Sequence, residues 1–246
     1  QRAHALARTL GEIEIRIDPD ELIVGNRTVG VRAGVVSPEA GLNWVAEELE
    51  TLPTRPQDRF QVRQEDARDF REDISPFWKG ATLEDAVEER IGTSIDAVRE
   101  VVKINQTDHA QGHICPDTEK WLRLGPRGIR REAEQRLERA SSAEEDFLRA
   151  VITVYGAAER FIERYADLAR ELRSDSTRNT DEARNLRTIE ETCRKIASEP
   201  PETFREALQS LWFLYVVLQT ESNASAFSPG RLDQILYPFY RQDLDE

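Results

Sequence analysis

The chain has 246 residues, 39% of them apolar and including 4 Trp, 5 Tyr and 9 Phe, enough for a packed core and against disorder throughout. Its 34 basic and 47 acidic residues leave a net charge of −13, which repels nucleic-acid phosphates and anionic lipid surfaces. The longest apolar run, Leu211–Leu218, is less than half of the roughly 18 residues that a membrane span needs. This length allows one or two domains. His4 and Arg2 interrupt any N-terminal apolar region, so no signal peptide is read. Cys115 and Cys193 are too few for a disulfide framework and suit a reducing cytosol. The chain contains no methionine and starts at Gln1, so the expectation is a piece of something longer.

Helical periodicity dominates. Arg2–Leu10 is a short helical run, and the alternation Ile13-Glu14-Ile15-Arg16-Ile17 predicts a strand. Asp18-Pro19-Asp20 marks a turn before Leu22-Ile23-Val24 and the Gly25-Asn26 break. Ser37-Pro38-Glu39 starts a helix carrying Trp44, Val45, Leu49 and Leu52. Thr51–Phe60, with Pro53 and Pro56, reads as loop. Glu65–Asp73 reads as helix, ended by Pro76-Phe77-Trp78-Lys79-Gly80. Thr82–Ile91 opens on a Thr-x-x-Asp capping pattern.

Ile104–Asp117 loses periodicity and holds His109, His113 and Cys115. Helix resumes at Glu119–Leu124, breaks at Gly125-Pro126 and returns from Gly128 to about Ala140. Ala143–Arg173 is the longest helical stretch, with Phe147, Val151, Val154, Ala158, Phe161, Tyr165 and Leu168 on one face. Thr180–Ala197 is a further helix, stopped by Glu199-Pro200-Pro201. Pro201 fits the first turn of the next one, Thr203–Thr220. Ser222–Gly230 breaks the pattern, and Leu232–Asp243 is helical again. The fold expected is mainly α. The four tryptophans read as core, and the Glu159/Glu163 and Arg160/Arg164 set reads as a solvated helix face.

Two segments carry candidate chemistry. In Gln111-Gly112-His113-Ile114-Cys115-Pro116-Asp117, a His, a thiol and a carboxylate lie within five residues and suit a metal site or acid–base work. A structural zinc needs about four ligands, and no second Cys/His cluster supplies the rest, so no metal is assigned. A Cys115–His113 nucleophile pair is disfavoured because one intervening residue makes the side chains diverge. A loop tied down by its own polar groups is the alternative. The second segment is Glu221-Ser222-Asn223-Ala224-Ser225-Ala226-Phe227-Ser228-Pro229-Gly230-Arg231. Its small polar residues suit a substrate pocket, with Arg231 holding a carboxylate or sulfonate. The competing reading, which we favour for Arg231, is an ion pair with Asp233 or a nearby acid. No phosphate loop, nucleophile elbow or zincin pattern is present.

Six segments occur in one order: Ile23-Val24-Gly25-Asn26, Thr54–Phe60, Phe77-Trp78-Lys79-Gly80, Gly112-His113 through Asp117-x-x-Lys120, Pro200-Pro201-x-Thr203-Phe204-x-Glu206-Ala207-Leu208-Gln209, and Ser228-x-Gly230-Arg231-x-Asp233-Gln234. The series resembles the N-terminal region of glycyl radical enzymes related to pyruvate formate-lyase, over nearly the whole chain. It is most similar to the branch of diol dehydratases, choline trimethylamine-lyase, hydroxyproline dehydratase and isethionate sulfite-lyase.

The resemblance implies that residues 1–246 are the N-terminal part of a ten-stranded α/β barrel wrapped in helices, in a cytoplasmic and commonly dimeric enzyme. It implies a radical S-adenosylmethionine activase as partner, which installs an organic radical on a Gly near the C-terminus. It further implies a thiyl Cys that takes hydrogen from a small polar substrate, whose C–O, C–N, C–S or C–C bond is then cleaved. The family's Gly-Cys-x-Glu loop and Arg-Val-x-Gly-Tyr signature are both absent here, and neither cysteine matches the catalytic one. The catalytic part is therefore expected beyond Glu246, with no catalytic residue, metal or bound cofactor in this chain. Carry-over stops at substrate contacts: His113 and Asp117 in one segment, and Asn223, Ser225, Ala226, Phe227 and Arg231 in the other. Diol dehydratases place His-Ser where this chain has Ser225-Ala226, which argues against glycerol or propanediol. Two other classes stay open: formate C-acetyltransferase, with coenzyme A as second substrate, and a non-catalytic helical interaction module.

Overall fold

Amphipathic periodicity puts most of the chain into helices that bury one face each. The computed structural model describes residues 1–28, 30, 33–94, 98, 101, 113–174, 179–222 and 226–245. In chain order the helices are α1 (Arg2–Glu12), α2 (Pro38–Glu48), α3 (Gln64–Asp69), α4 (Ser75–Trp78), α5 (Leu83–Ile91), α6 (Thr118–Leu137), α7 (Ser142–Arg173), α8 (Thr180–Ser198), α9 (Phe204–Glu221) and α10 (Leu232–Asp245). A π-helical turn, Phe70–Ile74, joins α3 to α4. Among the described residues the strands are β1 (His113–Ile114) and β2 (Ala226–Phe227), which pair as a two-stranded sheet. The mainly helical architecture is the expected one. No helix among the described residues is long and apolar enough to cross a membrane.

The chain divides into two units. The first comprises Gln1–Val29, Cys115–Glu221 and Phe227–Glu246, and the second Gly30–Ile114 with Ser222–Ala226. In the first, α7 is the axis, packed against α1, α6 and α8. Its Phe161 and Tyr165 are fully buried with Phe213 of α9, at ring-centroid distances of 5.2–6.0 Å. Helix α6 bends where the Gly125-Pro126 break was expected: Gly125 takes φ +64°, and a Cβ there would meet the Glu199 carbonyl oxygen at 3.2 Å.

The strand predicted at Ile13–Ile17 does not form. The segment has strand-like alternation but, among the described residues, no neighbouring strand, and side chains of the helices and of Asn26 take that partner's place. Arg164 donates to the carbonyls of Leu10 and Ile13, both at 2.6 Å. The Asn26 amide accepts from Arg16 N–H at 3.0 Å and donates to Glu14 C=O at 3.0 Å. Asn185 donates to Glu21 C=O and Arg205 to Leu22 C=O.

The tightest of these pins is at Val24, which is fully buried. Gln209 Oε1 accepts from its N–H at 2.8 Å, and Gln209 Nε2 donates to its C=O at 2.7 Å. The next residue, Gly25, has φ +143° and gives its C=O to Trp212 Nε1 at 2.9 Å. A Cβ on Gly25 would sit 2.8 Å from the Trp212 ring, so only glycine fits there. Asn26 then holds Tyr165 through two hydrogen bonds, at 2.8 Å from its own N–H and 2.7 Å to its Oδ1.

Two surface assignments also change. Glu159 is buried and paired with Arg127 at 3.1 Å and Arg130 at 2.6 Å, while Arg164 caps α1, so that helix face is not merely solvated. Of the tryptophans, Trp121 is core, but Trp44 and Trp212 remain about 40% exposed.

The second unit has its own small core of Leu42, Val45, Leu49, Leu52 and Phe70. Helix continues past Asp73 to Trp78, further than predicted. Pro76 has no N–H to donate, and the wider π turn lies directly before α4. The predicted capping box at Thr82 is present: Asp85 N–H donates to Thr82 Oγ1 at 3.1 Å, and Thr82 N–H donates to Asp85 Oδ2 at 3.0 Å. The Thr82 hydroxyl also donates to Asp85 Oδ2 at 2.6 Å, and this bond, helped by the Thr82 and Gly80 backbone N–H groups, holds the Asp85 carboxyl below its usual range.

Replacing Gln209 with Leu keeps the volume and strips two buried backbone groups of their partners. We expect a loss of about 2–5 kcal/mol in urea unfolding, with an unchanged denaturant slope. A loss below about 0.5 kcal/mol would show that the Val24 clamp is dispensable.

Candidate functional site

The residues expected from the sequence to border a substrate fall in both units. In the second unit, His113 and Ile114 form β1, paired with the strand that begins at Ala226. His113 is exposed, Ala226 is partly buried and Ser222 is buried. Asn223 and Ser225 lie outside the described residues, as do Gln111 and Gly112.

In the first unit, Asp117 is the N-cap of α6, its Oδ1 accepting from Lys120 N–H at 3.0 Å. Thr118 N–H closes the preceding turn on Pro116 C=O at 2.8 Å. Phe227 is buried. Gly230, at φ +83°, starts the turn into α10, and a Cβ on it would lie 3.9 Å from Cys115 Sγ. The two sequence segments are thus neighbours within this unit, although more than 100 residues separate Cys115 from Gly230.

Arg231 is exposed and forks onto Asp233, Nε to Oδ1 at 3.1 Å and Nη2 to Oδ2 at 2.9 Å. The favoured ion pair is present, but at the surface rather than buried. Its remaining amino group is uncommitted to Asp233. Sequence reasoning missed Tyr155 of α7, which stacks obliquely on Trp121 at 6.1 Å. Burial raises the Tyr155 phenol, and the Asp117 carboxylate pushes it further the same way. Nothing in the sequence marks it, because it lies beside the apolar stripe that fills α7.

The two thiols sit in unlike environments. Cys193 is fully enclosed in α8 and burial pushes its thiol up, with Arg194 and Arg205 opposing. Cys115 is exposed and donates weakly to Pro116 C=O. Among the described residues, no three His, Cys, Asp or Glu side chains gather as a metal site. Two open clefts of about 630 and 580 Å³ lie away from these segments. Their walls are charged residues that pair with one another, such as Arg136–Glu144 and Arg173–Glu190.

The family model for pyruvate formate lyase-like proteins matches residues 1–246. The chain belongs to the pyruvate formate lyase-like family. It is 36% identical over 258 residues to the probable dehydratase YbiW of Escherichia coli (strain K12), across 100% of this chain and 31% of that protein. It is 31% identical over 262 residues to the isethionate sulfite-lyase of Nitratidesulfovibrio vulgaris, across 99% of this chain and 32% of that protein. The crystal structure of a glycyl radical enzyme from Archaeoglobus fulgidus superposes with a TM-score of 0.91 at 32% identity, over 99% of this chain and 32% of that one. The chain therefore spans about a third of the length of these relatives, and the helical fold matches that portion of a glycyl radical enzyme.

The exposed Arg231–Asp233 pair costs as much side-chain entropy as it returns. Arg231→Ala should leave the thermal midpoint unchanged, and a clear fall would show a structural role. Iodoacetamide should modify Cys115 in the native chain and reach Cys193 only on unfolding. The Cys193 protection should persist from neutral to mildly alkaline pH, because its thiol stays protonated there; native labelling at Cys193 would refute its burial.

Proposed function

We propose that this chain is the N-terminal, substrate-bordering part of a glycyl radical lyase or dehydratase. The parent enzyme would cleave a C–O, C–N, C–S or C–C bond of a small polar molecule. The observation that carries the reading is the superposition of 99% of the chain on about a third of a glycyl radical enzyme. The named relatives, a probable dehydratase and a sulfite-lyase, support elimination from a small substrate as the general kind of reaction.

In this reading the radical Gly and the thiyl Cys belong to the rest of the parent. A glycyl radical, installed by an S-adenosylmethionine-dependent activase, supplies hydrogen-atom abstraction there. The residues of this chain bind and orient. His113, Asp117, Asn223, Ser225, Ala226, Phe227 and Arg231 border the substrate, with Phe227 as an apolar wall and Asp117 held rigid by its capping bond. Arg231 turns its free amino group toward an acidic substrate group while Asp233 fixes the rest of the fork. The parent is a cytoplasmic homodimer that touches neither nucleic acid nor membrane, in keeping with the acidic charge balance.

The test is anoxic activation of the complete gene product with its activase and S-adenosylmethionine. We expect a glycyl doublet in the electron paramagnetic resonance spectrum and turnover of one member of a panel of diols, hydroxyproline, choline and isethionate. Ser225→His should shift preference within that panel more than it shifts stability. The 246-residue chain treated alike should give no doublet. A doublet from the chain alone, or coenzyme A-dependent formate release from pyruvate by the parent, would overturn the proposal.

A further inference from the structure

Helix α9 is apolar on both sides. From Ala207 to Thr220 it carries no charged residue, in a chain that is 33% charged. Its inner face, with Phe213, Leu214, Val216 and Val217, is buried in the core of the first unit. The opposite face runs at steps of three and four through Leu208, Trp212, Tyr215 and Leu218. Leu208 and Leu218 are only partly buried, and Trp212 and Tyr215 are 40% and 37% exposed. The outer faces of α7 and α8 are built differently, with charged pairs such as Arg149–Glu145 and Arg187–Glu191. A helix that is apolar all round belongs in an interior, so the second face of α9 calls for a partner.

We propose that this outer face of α9 is the seat of an apolar segment from the rest of the parent polypeptide. The inference rests on the chain being part of a longer parent, and not on the reaction assigned to that parent. The face is already fixed in shape. Trp212 Nε1 donates inward to Gly25 C=O at 2.9 Å, and a Cβ on Gly25 would lie 2.8 Å from the indole, so the ring sits directly on the backbone. Tyr215 stacks on the same ring, with centroids 5.5 Å apart and planes 14° from parallel. Large rings held in place lose little side-chain entropy when covered, which is what makes Trp and Tyr anchors of interfaces. Helix α10 reaches the start of this face, where Phe204 meets Tyr240 edge-on at 5.9 Å, but Trp212 and Tyr215 stay open. With the indole N–H turned inward, the Trp212 surface left outside is carbon. That selects aliphatic and aromatic side chains as its cover.

Charge and size decide between this occupant and a second copy of the chain. Each copy carries a net charge of −13, so pairing two such faces brings like-charged surfaces together. A stable interface between separate chains takes roughly 20–30 residues a side, and this stripe offers a handful. A segment of the same polypeptide is held close by its linkage and needs neither that area nor opposite charge. The chain spans 31–32% of the relatives it matches, so a parent of their length has ample polypeptide to supply it.

The experiment compares hydroxyl-radical oxidation, read by mass spectrometry, in the complete gene product and in the 246-residue chain. We expect Trp212 and Tyr215 to oxidise in the chain and to be protected several-fold in the complete protein, with the core residue Trp121 slow in both. Tyr215→Lys should leave the thermal midpoint of the chain in place and lower that of the complete protein, because an unpaired ammonium is then buried. Should that variant of the complete protein not accumulate, the oxidation of the unaltered protein decides. Sedimentation of the chain over a range of concentrations should show a monomer. Equal oxidation in the two proteins, or a Tyr215→Lys loss that is the same in both, would overturn the proposal. So would a dimer of the chain that protects Trp212, or protection that disappears when the complete protein is diluted to monomers. None of these readouts needs turnover. A complete protein that protects Trp212 yet gives no glycyl doublet would refute the lyase reading and leave this one standing.

Discussion

A buried extended segment must find partners for every peptide group, and here the helices supply them through their side chains. Gln209 presents to Val24 the donor and acceptor that an adjacent strand would present, in a site closed to water. Such a pair is modest in net energy when made and expensive when broken, because both backbone groups are then stranded. The consequence spreads along the chain. With Val24 fixed, Gly25 can turn through φ +143° beneath Trp212, and Asn26 can reach Tyr165 at the centre of the aromatic cluster. Helices α7, α8 and α9 each contribute pins, so the segment locks their mutual register in the first unit as much as they lock it.

Helix existence was legible because tertiary packing here agrees with local periodicity. The boundaries of α7 and α8 fall within a residue of those read from the pattern, and the Gly125-Pro126 break is a real bend. What misled was Ile13–Ile17. Alternation reports that one face is buried, and it is silent on whether the backbone partner is a strand or a row of amides and guanidinium groups. The same blindness made Glu159 look like a solvated residue. Its spacing is that of a surface pair, and only the approach of α6 reveals two arginines converging on it.

The candidate site was legible to a smaller degree, for a related reason. Several of the segments that carry the family resemblance have structural duties: Val24-Gly25-Asn26 and Gln209 build the clamp, and Asp117 caps α6. Scaffold motifs identify a fold because backbone geometry tolerates few substitutes at a positive φ or a buried amide. They carry little information about a substrate. Tyr155 illustrates the gap, since it is an ordinary residue in sequence whose surroundings come from neighbours far along the chain. Cys115 and Gly230 make the same point in reverse: two segments singled out separately prove adjacent in space.

The reactive side chains of the first unit are unevenly placed. A thiol intended for hydrogen-atom transfer must meet its substrate, and Cys193 meets only core atoms. Among the described residues, the buried side-chain polar atom left without a partner is Arg16 Nε, so the interior's polar groups are engaged with backbone, side chains or opposite charge. Arg231, whose fork is only partly used by Asp233, lies instead where the regular structure ends, at the entry to α10. A polar group at the margin of a helix, such as Arg231, can change without disturbing the clamp that sets the fold, because the two share no hydrogen-bond partner.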